Sequence, residues 1–291
     1  MLTGWLVYNE ADAARNRDYI RWMLDEAEQL GLRLQLKLKE RLVFGAHSGG
    51  LFIREHGVEA KLPTFVIMRN IDSLFSRQCE LLGVKVFNSS AVSELANHKA
   101  RTYQWLAQHG IPMPQTYFIH QHEYEAASFQ SLTFPMVLKA VDGRGGTEVH
   151  RVDSLSELTD YVESGERGRS YVLQRMAQPG RDVRVFVIGR RIVGAVLRSS
   201  QHDFRANHSL GGDSSLYELD EEQRCLVDRI TRLIELGMAG IDFMFDEHGQ
   251  FVFNELEDVV GSRTLSLHSE VNIVRLYLSW IIEQLHADEA S

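Results

Sequence analysis

The first ninety residues alternate short apolar runs with stretches of helical periodicity. An apolar run over Thr3–Tyr8 predicts a strand, and apolar residues between Tyr19 and Leu30 recur at the spacing of a helix. Further short apolar runs, typical of buried strands, lie at residues 32–36, 65–68 and 85–87. Strands that alternate with helices favour a parallel sheet. We therefore expect a small α/β domain over residues 1–92.

A second succession of predicted elements begins at Ser93. A helix over Lys99–His109 ends at Gly110. Apolar runs that predict strands lie at residues 116–119, 135–140, 148–152 and 171–175. Beyond them lie a predicted hairpin with its turn at Gly189-Arg190, a polar segment at 202–212, a helix over 219–236, a hairpin over 241–257 and a helix over 273–285. The pattern predicts a mixed α/β (α+β) protein.

Composition excludes several classes of protein. The 291 residues include 31 Lys and Arg against 40 Asp and Glu, a net charge of −9, which argues against a nucleic-acid or anionic-membrane binder. Two cysteines, Cys79 and Cys225, are too few for a disulfide framework and suit a reducing compartment. Residues 1–5 lack a signal-peptide leader, and no apolar run is long enough to span a membrane. We expect a cytoplasmic protein, and the sequence leaves a homo-oligomer open.

Charge is unevenly distributed in the second half of the chain. Residues 181–212 contain six arginines and two acidic residues, whereas residues 233–262 contain seven acidic residues and neither lysine nor arginine. Arginines bind phosphate oxygens, and carboxylates hold divalent cations. The two stretches predict a site for a polyphosphate and its metal, with the phosphates between them. The alternative is two solvated faces of opposite charge.

The acidic stretch forms a predicted hairpin in which carboxylates interrupt apolar strands. Asp242 lies within the first strand, and Glu255 and Glu257 share one face of the second because strand side chains repeat every two residues. Strict alternation puts Phe251 and Phe253 on that same face, which argues against the alternative of a solvent-exposed pair of glutamates. Three converging carboxylates are costly to desolvate unpaired, so we expect a metal ion as their partner.

A glycine-rich loop, Gly143-Arg144-Gly145-Gly146, follows the predicted strand that contains Lys139. Glycine lets backbone N–H groups approach phosphates closely, and the lysine adds a point charge. The loop lacks the Lys-Ser/Thr of a Walker A motif and the spacing of a dinucleotide-binding loop. It predicts phosphate binding, with an ordinary glycine-rich hairpin turn as the alternative.

The order of these segments resembles the ATP-grasp family, most closely its RimK-like carboxylate–amine ligases. The resemblance covers about residues 93–275 and is carried by Asn97-His98-Lys99, Pro135–Lys139 with the glycine loop, Val172–Gln174, Asp182–Arg184, Arg198, Phe204–Asn207 with Gly211-Gly212, and Gly240–Asp242 with the acidic strand. It implies an ATP-grasp fold with a small parallel-sheet domain at 1–92, a central lid subdomain at 93–175 and a C-terminal subdomain with the metal site at 176–291.

The resemblance also implies roles for individual residues. ATP contacts are implied for Lys99, Lys139, Gly143, Arg144, Gly145, Gly146, Gln174 and Arg175. Catalytic contacts to the γ-phosphate, the acyl-phosphate or the metal are implied for Arg184, Arg198 and Asn207. The implied ligands of Mg²⁺, with Mn²⁺ as the alternative ion, are Asp242, Glu255 and Glu257. Candidate substrate contacts are Arg205, Ser262 and Arg263. A guanidinium at position 263 suits a substrate carboxylate, with a surface ion pair to Asp258 as the alternative.

Two features depart from the family's pattern. Glu257 stands where the usual Glu-x-Asn motif has asparagine, and Val260 replaces the proline of the following Pro-Gly turn. Arg175 stands where an acidic residue is common. The additional carboxylate makes the expected metal site more anionic.

The implied activity is ATP-dependent ligation through an acyl-phosphate, with release of ADP and phosphate. The implied partners are a small-molecule or peptide carboxylate and an amine, and neither nucleic acid nor a membrane is expected. Two alternatives remain from the sequence: a phosphotransferase with the same fold, and a nucleotide-binding regulatory protein without turnover.

Overall fold

The N-terminal part of the chain forms a parallel sheet, as its alternating pattern predicts. In the computed structural model, residues 2–145, 148–200 and 213–289 are described. The elements of this part are β1 (Thr3–Tyr8), α1 (Glu10–Arg15), α2 (Arg17–Gln29), β2 (Arg33–Leu38), β3 (Leu42–His47), β4 (Gly50–Glu55), β5 (Val58–Glu59), β6 (Phe65–Met68), α3 (Ser73–Leu81), β7 (Lys85–Phe87) and α4 (Ser90–Ala96). The first sheet has the strand order β2-β1-β6-β7 and is wholly parallel. Strands β3, β4 and β5 form a small antiparallel sheet beside it.

Two antiparallel sheets follow. The second sheet, ordered β10-β9-β11-β8, belongs to a region with elements α5 (Lys99–Gln108), β8 (Thr116–His120), β9 (Met136–Ala140), β10 (Val149–Val152), α6 (Leu155–Ser164) and β11 (Ser170–Arg175). The third sheet, ordered β14-β13-β12-β15-β16, belongs to a region with β12 (Arg181–Ile188), β13 (Arg191–Ser199), β14 (Asp213–Leu216), α7 (Glu221–Leu233), β15 (Met238–Phe245), β16 (Phe251–Glu257), α8 (Arg263–His268) and α9 (Ile273–Glu289). Short 3₁₀ turns occupy Lys39–Arg41, Gln121–Glu123 and Ala126–Phe129. The expected mixed α/β fold is confirmed.

Capping chemistry fixes where α7 begins. Asp220 accepts a hydrogen bond from the backbone N–H of Gln223, whose side chain accepts one in return from the backbone N–H of Asp220. Such a capping box satisfies two N–H groups that the first turn leaves unpaired. The helix therefore begins at Glu221 and is shorter than the predicted 219–236, because Ile234 already has extended backbone angles.

The first and third sheets share one hydrophobic core. Helix α9 packs against α2, and residues of both helices surround Leu6 of β1 together with Phe186 of β12. A second core lies between the third sheet and helices α5 and α7. The second sheet has a separate core with α6, centred on Leu138 and Leu158. The C-terminal helix thus fixes the position of the first sheet relative to the third.

Asn88, directly after β7, ties the first sheet to the third through backbone groups. Its side-chain Nδ2 donates to the carbonyl oxygens of Met238 at 3.0 Å and Asp258 at 2.8 Å, and its Oδ1 accepts from the backbone N–H of Gly237. The residue is buried. Only an amide both donates to carbonyls and accepts from an N–H in this geometry.

Two further expectations concern the whole chain. Cys79 and Cys225 are both free thiols, the first buried and the second exposed. Across the part of the chain that the structure describes, no helix combines the length and the hydrophobicity needed to cross a membrane.

We predict that Asn88→Asp lowers the free energy of unfolding by about 2–4 kcal/mol, because a carboxylate leaves two buried carbonyl oxygens without donors. Urea unfolding of the purified protein measures the change. Gln104→Glu is the matched control, since it makes the same amide-to-acid change at an exposed position of α5. Equal stability of the two variants would contradict the structural role of Asn88.

Candidate functional site

Charged side chains on adjacent strands of the third sheet form a buried series of ion pairs. Strand register places Asp182 of β12 opposite Arg198 of β13, and Arg184 of β12 opposite Asp242 of β15. Arg198 donates to both oxygens of Asp182 at 2.6 and 2.7 Å, and its Nη2 also donates to Asp242 Oδ2 at 2.7 Å. These bidentate contacts hold the side chains in one geometry.

Arg184 extends the series to the last strand of the sheet. Its Nε and Nη2 donate to the two oxygens of Asp242 at 2.7 Å each, and Nη2 also donates to Glu257 Oε1 at 2.5 Å. The arginine-rich and acidic stretches are therefore neighbouring strands of one sheet. The expectation that phosphates lie between the two stretches stays a prediction.

Burial and ion pairing act in opposite directions on the carboxyl groups of this series. Burial raises the pKa of Asp242, but Arg184 and Arg198 outweigh it and lower the pKa to about 2. Burial raises the pKa of Asp182 and of Glu257, although each also accepts from an arginine. Asp242 is consequently the carboxylate most firmly held in its ionised form.

A bulge in β16 decides which side chains face the site. Asp242 pairs with Glu255 and Phe243 pairs with Phe253, so Asn254 is an extra residue in the register. The prediction that the glutamates share a face with Phe251 and Phe253 is wrong: both aromatic side chains lie in the core under the sheet. The extra residue reverses the alternation, which sends the glutamates to the opposite face.

The three carboxylates expected to hold a metal lie together. Asp242, Glu255 and Glu257 each offer an oxygen atom within 4.8 Å of the others, and the first is buried while the glutamates are half-buried. The hydrogen bonds described here leave Oε2 of each glutamate available as a ligand atom. Three carboxylate oxygens are the donor set that suits a hard divalent cation, so these residues fit such an ion.

Two buried lysines lie beside this carboxylate triad. Lys99, the first residue of α5, contacts Glu255 Oε1 at 2.9 Å and also donates to the carbonyl oxygen of Gly143. Lys139 of β9 donates to Asn254 Oδ1 at 2.8 Å. Burial lowers the pKa of Lys139 to about 8; Glu255 opposes this shift and Lys99 adds to it. Lys139 therefore approaches the triad from the second sheet, and Lys99 approaches it from the start of α5.

A first cleft lies between the second and third sheets, with about 780 Å³ of empty space when the open solvent at its mouth is included. Its walls include both lysines, the loop residues Gly143 and Arg144, and apolar side chains at Val137, Val149, Met176 and Met244. Gln174 and Arg175 at the end of β11 also line it. Gln174 is held in place because its Nε2 donates to Thr116 Oγ1 at 2.8 Å. The cleft is therefore lined by both apolar and charged side chains.

A second cleft adjoins the first and lies between the triad and the first sheet, with about 1290 Å³ of empty space when open solvent is included. Lys99, Gly143, Arg144 and Glu255 line both clefts. The opposite wall consists of residues that follow β1 and β6: Asn9, Asp12, Asn16, Arg69 and Asn70. Gly145 and Glu257 also line the second cleft, and the φ angle of Gly145 is positive, at 59°.

The candidate substrate contacts lie elsewhere or outside the described residues. Ser262 is buried, and Arg263 donates to Asn16 Oδ1 at 3.3 Å; neither is among the residues that line the two clefts. Asp258 accepts from Asn97 Nδ2 at 2.9 Å, so the alternative of an Arg263 ion pair with Asp258 is not what the structure shows. Gly146, Arg205 and Asn207 lie outside the residues that the structure describes.

Three residues of the site received no role in the sequence analysis. Asn254 binds Lys139 through its side chain, and its carbonyl oxygen accepts from the Tyr103 hydroxyl. Asp182 is the bidentate partner of Arg198. Asn254 and Asp182 could have been found from the sequence, because each is a polar residue inside an apolar strand. Tyr103 could not, because its position in the pattern is that of an ordinary core residue of a helix.

Comparison with known proteins gives a family for most of the chain. Residues 96–281 match the model of the RimK-like ATP-grasp domain. The crystal structure of a RimK domain ATP-grasp protein from Sphaerobacter thermophilus superposes with a TM-score of 0.74 at 20% identity, covering 96% of this chain and 98% of the other. This likeness concerns the fold, including the N-terminal sheet.

Curated relatives are similar at the level of sequence. Human beta-citrylglutamate synthase B is 29% identical over 237 residues, which cover 76% of this chain and 61% of the relative. The alpha-aminoadipate–LysW ligase LysX of Saccharolobus solfataricus is 26% identical over 272 residues, which cover 89% of this chain and 96% of the relative. The match thus spans about three fifths of the length of the human protein and nearly all of the archaeal one.

We predict that buried Lys139 makes the free energy of unfolding rise with pH in the alkaline range. Because its pKa falls from 10.5 to about 8 on folding, the folded state binds fewer protons than the unfolded state between these values. The free energy of unfolding, relative to that of Lys139→Met, should rise by about 2 kcal/mol from pH ~8 to pH ~9.5.

Urea unfolding at several pH values measures this difference. Lys61→Met, which removes an exposed lysine, is the control and should follow the wild type. A wild type that keeps a constant difference from Lys139→Met across this range would contradict the predicted shift.

Proposed function

The chain belongs to the RimK-like ATP-grasp family, and on that premise we propose that it is an ATP-dependent carboxylate–amine ligase. The observation that supports this most is the meeting of two clefts at one cluster of carboxylates and lysines. The first cleft suits a nucleotide, and the second leaves room for two substrates beside its terminal phosphate. A binding module for a nucleotide alone would not need the second cleft.

The first cleft offers both parts of a nucleotide site. Val137, Val149, Met176 and Met244 provide apolar surfaces on which a flat base packs, and the backbone of β11 lies beside them. We propose that Lys99 and Lys139 bind the phosphates, with the glycine loop supplying backbone N–H groups. Arg175 is exposed at the cleft entrance, so a base recognised through the backbone tolerates it.

We propose that Asp242, Glu255 and Glu257 hold a divalent cation, with Mg²⁺ preferred because the donor set is entirely oxygen. When bound, such an ion supplies positive charge for the phosphate oxygens. Arg184 already contacts two of these carboxylates, so its charge limits their mutual repulsion. Glu257 gives the set one more negative charge than the asparagine common at this position.

The proposed reaction has two steps. A carboxylate oxygen of the acid attacks the γ-phosphorus of ATP, which forms an acyl-phosphate and breaks the bond to the ADP oxygen. The amine then attacks the acyl carbon, loses a proton and displaces phosphate to form the amide. The described residues contribute positions and positive charge: Lys99 lines both clefts and Lys139 lines the first, beside the place proposed for the transferred phosphate.

The substrates are proposed from the similar proteins. The names of the relatives refer to the synthesis of beta-citrylglutamate and to the ligation of alpha-aminoadipate to LysW. The second cleft contains several amide side chains and cations, which suit polar substrates of this size. We propose an amino acid, a peptide or a related small acid as the carboxylate, and an amine of similar size.

Product analysis tests the proposed activity. Purified protein with ATP and Mg²⁺ is screened against pairs of amino acids, small acids and dipeptides, and phosphate release and product mass are measured. We expect ADP and free phosphate in equal amounts, dependent on both substrates, with a product that is one water lighter than their sum. A stable phosphorylated product would instead identify a phosphotransferase, and no nucleotide turnover with any pair would favour a nucleotide-binding regulatory protein.

We predict that Asp242→Asn and Glu255→Gln each lower turnover by at least about 100-fold, because each removes a charged ligand of the proposed cation. Calorimetric titration with Mn²⁺ should show weaker binding in both variants. Glu255→Gln is the safer test of function, since its side chain is half-buried and has one ion pair, whereas Asp242 is buried between two arginines.

The control is Glu247→Gln, which removes an exposed carboxylate from the turn of the same hairpin. It should leave both turnover and Mn²⁺ affinity within about 2-fold of the wild type. Near-normal turnover in Glu255→Gln, with the protein folded, would show that the carboxylate triad has another role.

A further inference from the structure

Arg69 is a buried cation in the wall of the second cleft that faces the carboxylate triad. It follows β6 directly and is 8% exposed. Its Nη2 donates to the carbonyl oxygen of Val260 at 2.9 Å, its Nε donates to the Tyr8 hydroxyl at 3.3 Å, and its guanidinium lies 5.2 Å from the centre of the Tyr19 ring. These contacts fix its orientation, and all of them are to uncharged groups.

Within the described ranges, no acidic residue forms an ion pair with Arg69. The acidic residues near it are committed to other partners: Asp258 accepts from Asn97, and Asp12 binds Asn9 and Arg15. A guanidinium carries five N–H groups, of which the described hydrogen bonds use two. A charge of this kind is rarely buried without a counter-ion.

Asn70, the next residue, adds a second observation. Its Oδ1 atom is buried and has no hydrogen-bond partner among the described residues, and the residue lines the same cleft. Buried amide oxygens are nearly always bonded. Burial raises the pKa of the Asp258 carboxyl group, and Asp258 is near enough for the charge of Arg69 to oppose this shift, but it forms no ion pair with Arg69. An unpaired acceptor beside a buried cation that has no ion pair within the described residues is the arrangement expected where a ligand supplies both an anion and an N–H donor.

The topology of the first sheet places these residues where ligands bind. The chain leaves β1 toward β2 on one side, and the later strands β6 and β7 lie on the other side. The carboxyl ends of β1 and β6 therefore border the point at which the strand order reverses, which is the usual ligand crevice of a parallel sheet. Arg69 and Asn70 stand at this point, across the cleft from Glu255 and Glu257.

We propose that Arg69 and Asn70 bind a carboxylate of a substrate that is not the one converted to the amide. This assignment rests on the proposed ligase activity and makes its substrate class narrower: one of the two substrates carries a second, unreacted carboxylate. Arg69 neutralises that group, and Asn70 accepts a hydrogen bond from an N–H beside it. The reacting end of the same molecule then extends toward the triad.

Asn70→Asp tests the proposal, because it places a carboxylate next to Arg69 with little change in shape. If Arg69 serves a substrate, the KM for the carboxylate-bearing substrate should rise on the order of 10- to 100-fold. The KM for ATP should change less than about 2-fold, and the unfolding midpoint should not fall, since the buried cation gains a partner. If Arg69 has only a structural role, the unfolding midpoint of Asn70→Asp should likewise not fall, but the KM for the carboxylate-bearing substrate should stay unchanged. That result would overturn the proposal.

Arg69→Lys provides a second test that keeps the positive charge but removes the planar fork. It should raise the same KM and leave the KM for ATP unchanged. The controls are Gln35→Glu and Arg33→Lys on β2, which make matched changes at exposed positions of the same sheet and should leave every constant unaltered. A rise in the KM for ATP equal to that for the acid would indicate general distortion and overturn the assignment.

Two substrates can supply the carboxylate, and the assay separates them. With hydroxylamine in place of the amine, hydroxamate formation depends on the acid substrate alone. A raised KM for the acid in this assay would assign Arg69 to the acid. A raised KM for the amine in the complete reaction, with the acid unaffected, would assign it to the amine, and either result supports the proposal.

A binding experiment keeps this proposal separate from the proposed function. Calorimetry with a non-hydrolysable ATP analogue and Mg²⁺ compares glutamate with its two mono-amides, glutamine and isoglutamine. We expect the wild type to prefer glutamate to at least one amide by about 10-fold, and Asn70→Asp to lose that preference. This result without any phosphate release would refute the ligase and retain the carboxylate site. Phosphate release, together with equal binding of glutamate and both amides by the wild type, would retain the ligase and refute the carboxylate site.

Discussion

The buried ion pairs across the third sheet are the interaction on which the site depends. Asp242 accepts from both Arg184 and Arg198, and each arginine has a second acidic partner, Glu257 for Arg184 and Asp182 for Arg198. Charges removed from water are costly, so each pair is tolerable only while its partners remain in place. The network therefore fixes the positions of Asp182, Asp242 and Glu257 before any ligand binds. The apolar core beneath the sheet offsets the cost of burying these charges.

Local patterns predicted the elements of this protein better than their arrangement. Apolar runs and glycines located the strands of the first and third sheets, and the alternation of strands with helices correctly predicted a parallel N-terminal sheet. The pattern also indicated that Asp242, Glu255 and Glu257 converge, and the structure brings these three residues together. Each of these inferences uses residues that are close in sequence or joined by one turn.

The inferences that failed needed information beyond a single strand. The bulge at Asn254 reverses the side-chain alternation, and the regular alternation of the sequence around it gives no sign of a bulge. Arg69 has the sequence signature of any polar residue at a strand end, and what distinguishes it is that no acidic residue in the described part of the chain forms an ion pair with it. Likewise, the packing of α9 on α2 joins the two ends of the chain and is invisible to periodicity.

The shared core of the first and third sheets has a consequence for selectivity. Helix α9 and the bonds of Asn88 hold the two sheets in a fixed relation, so the span between Arg69 and the carboxylate triad is set by the backbone. The second sheet has its own core and contributes Lys139 to the charged cluster beside the triad. A molecule anchored at both ends must match this span, so chain length, as well as charge, becomes a criterion that the scaffold itself applies.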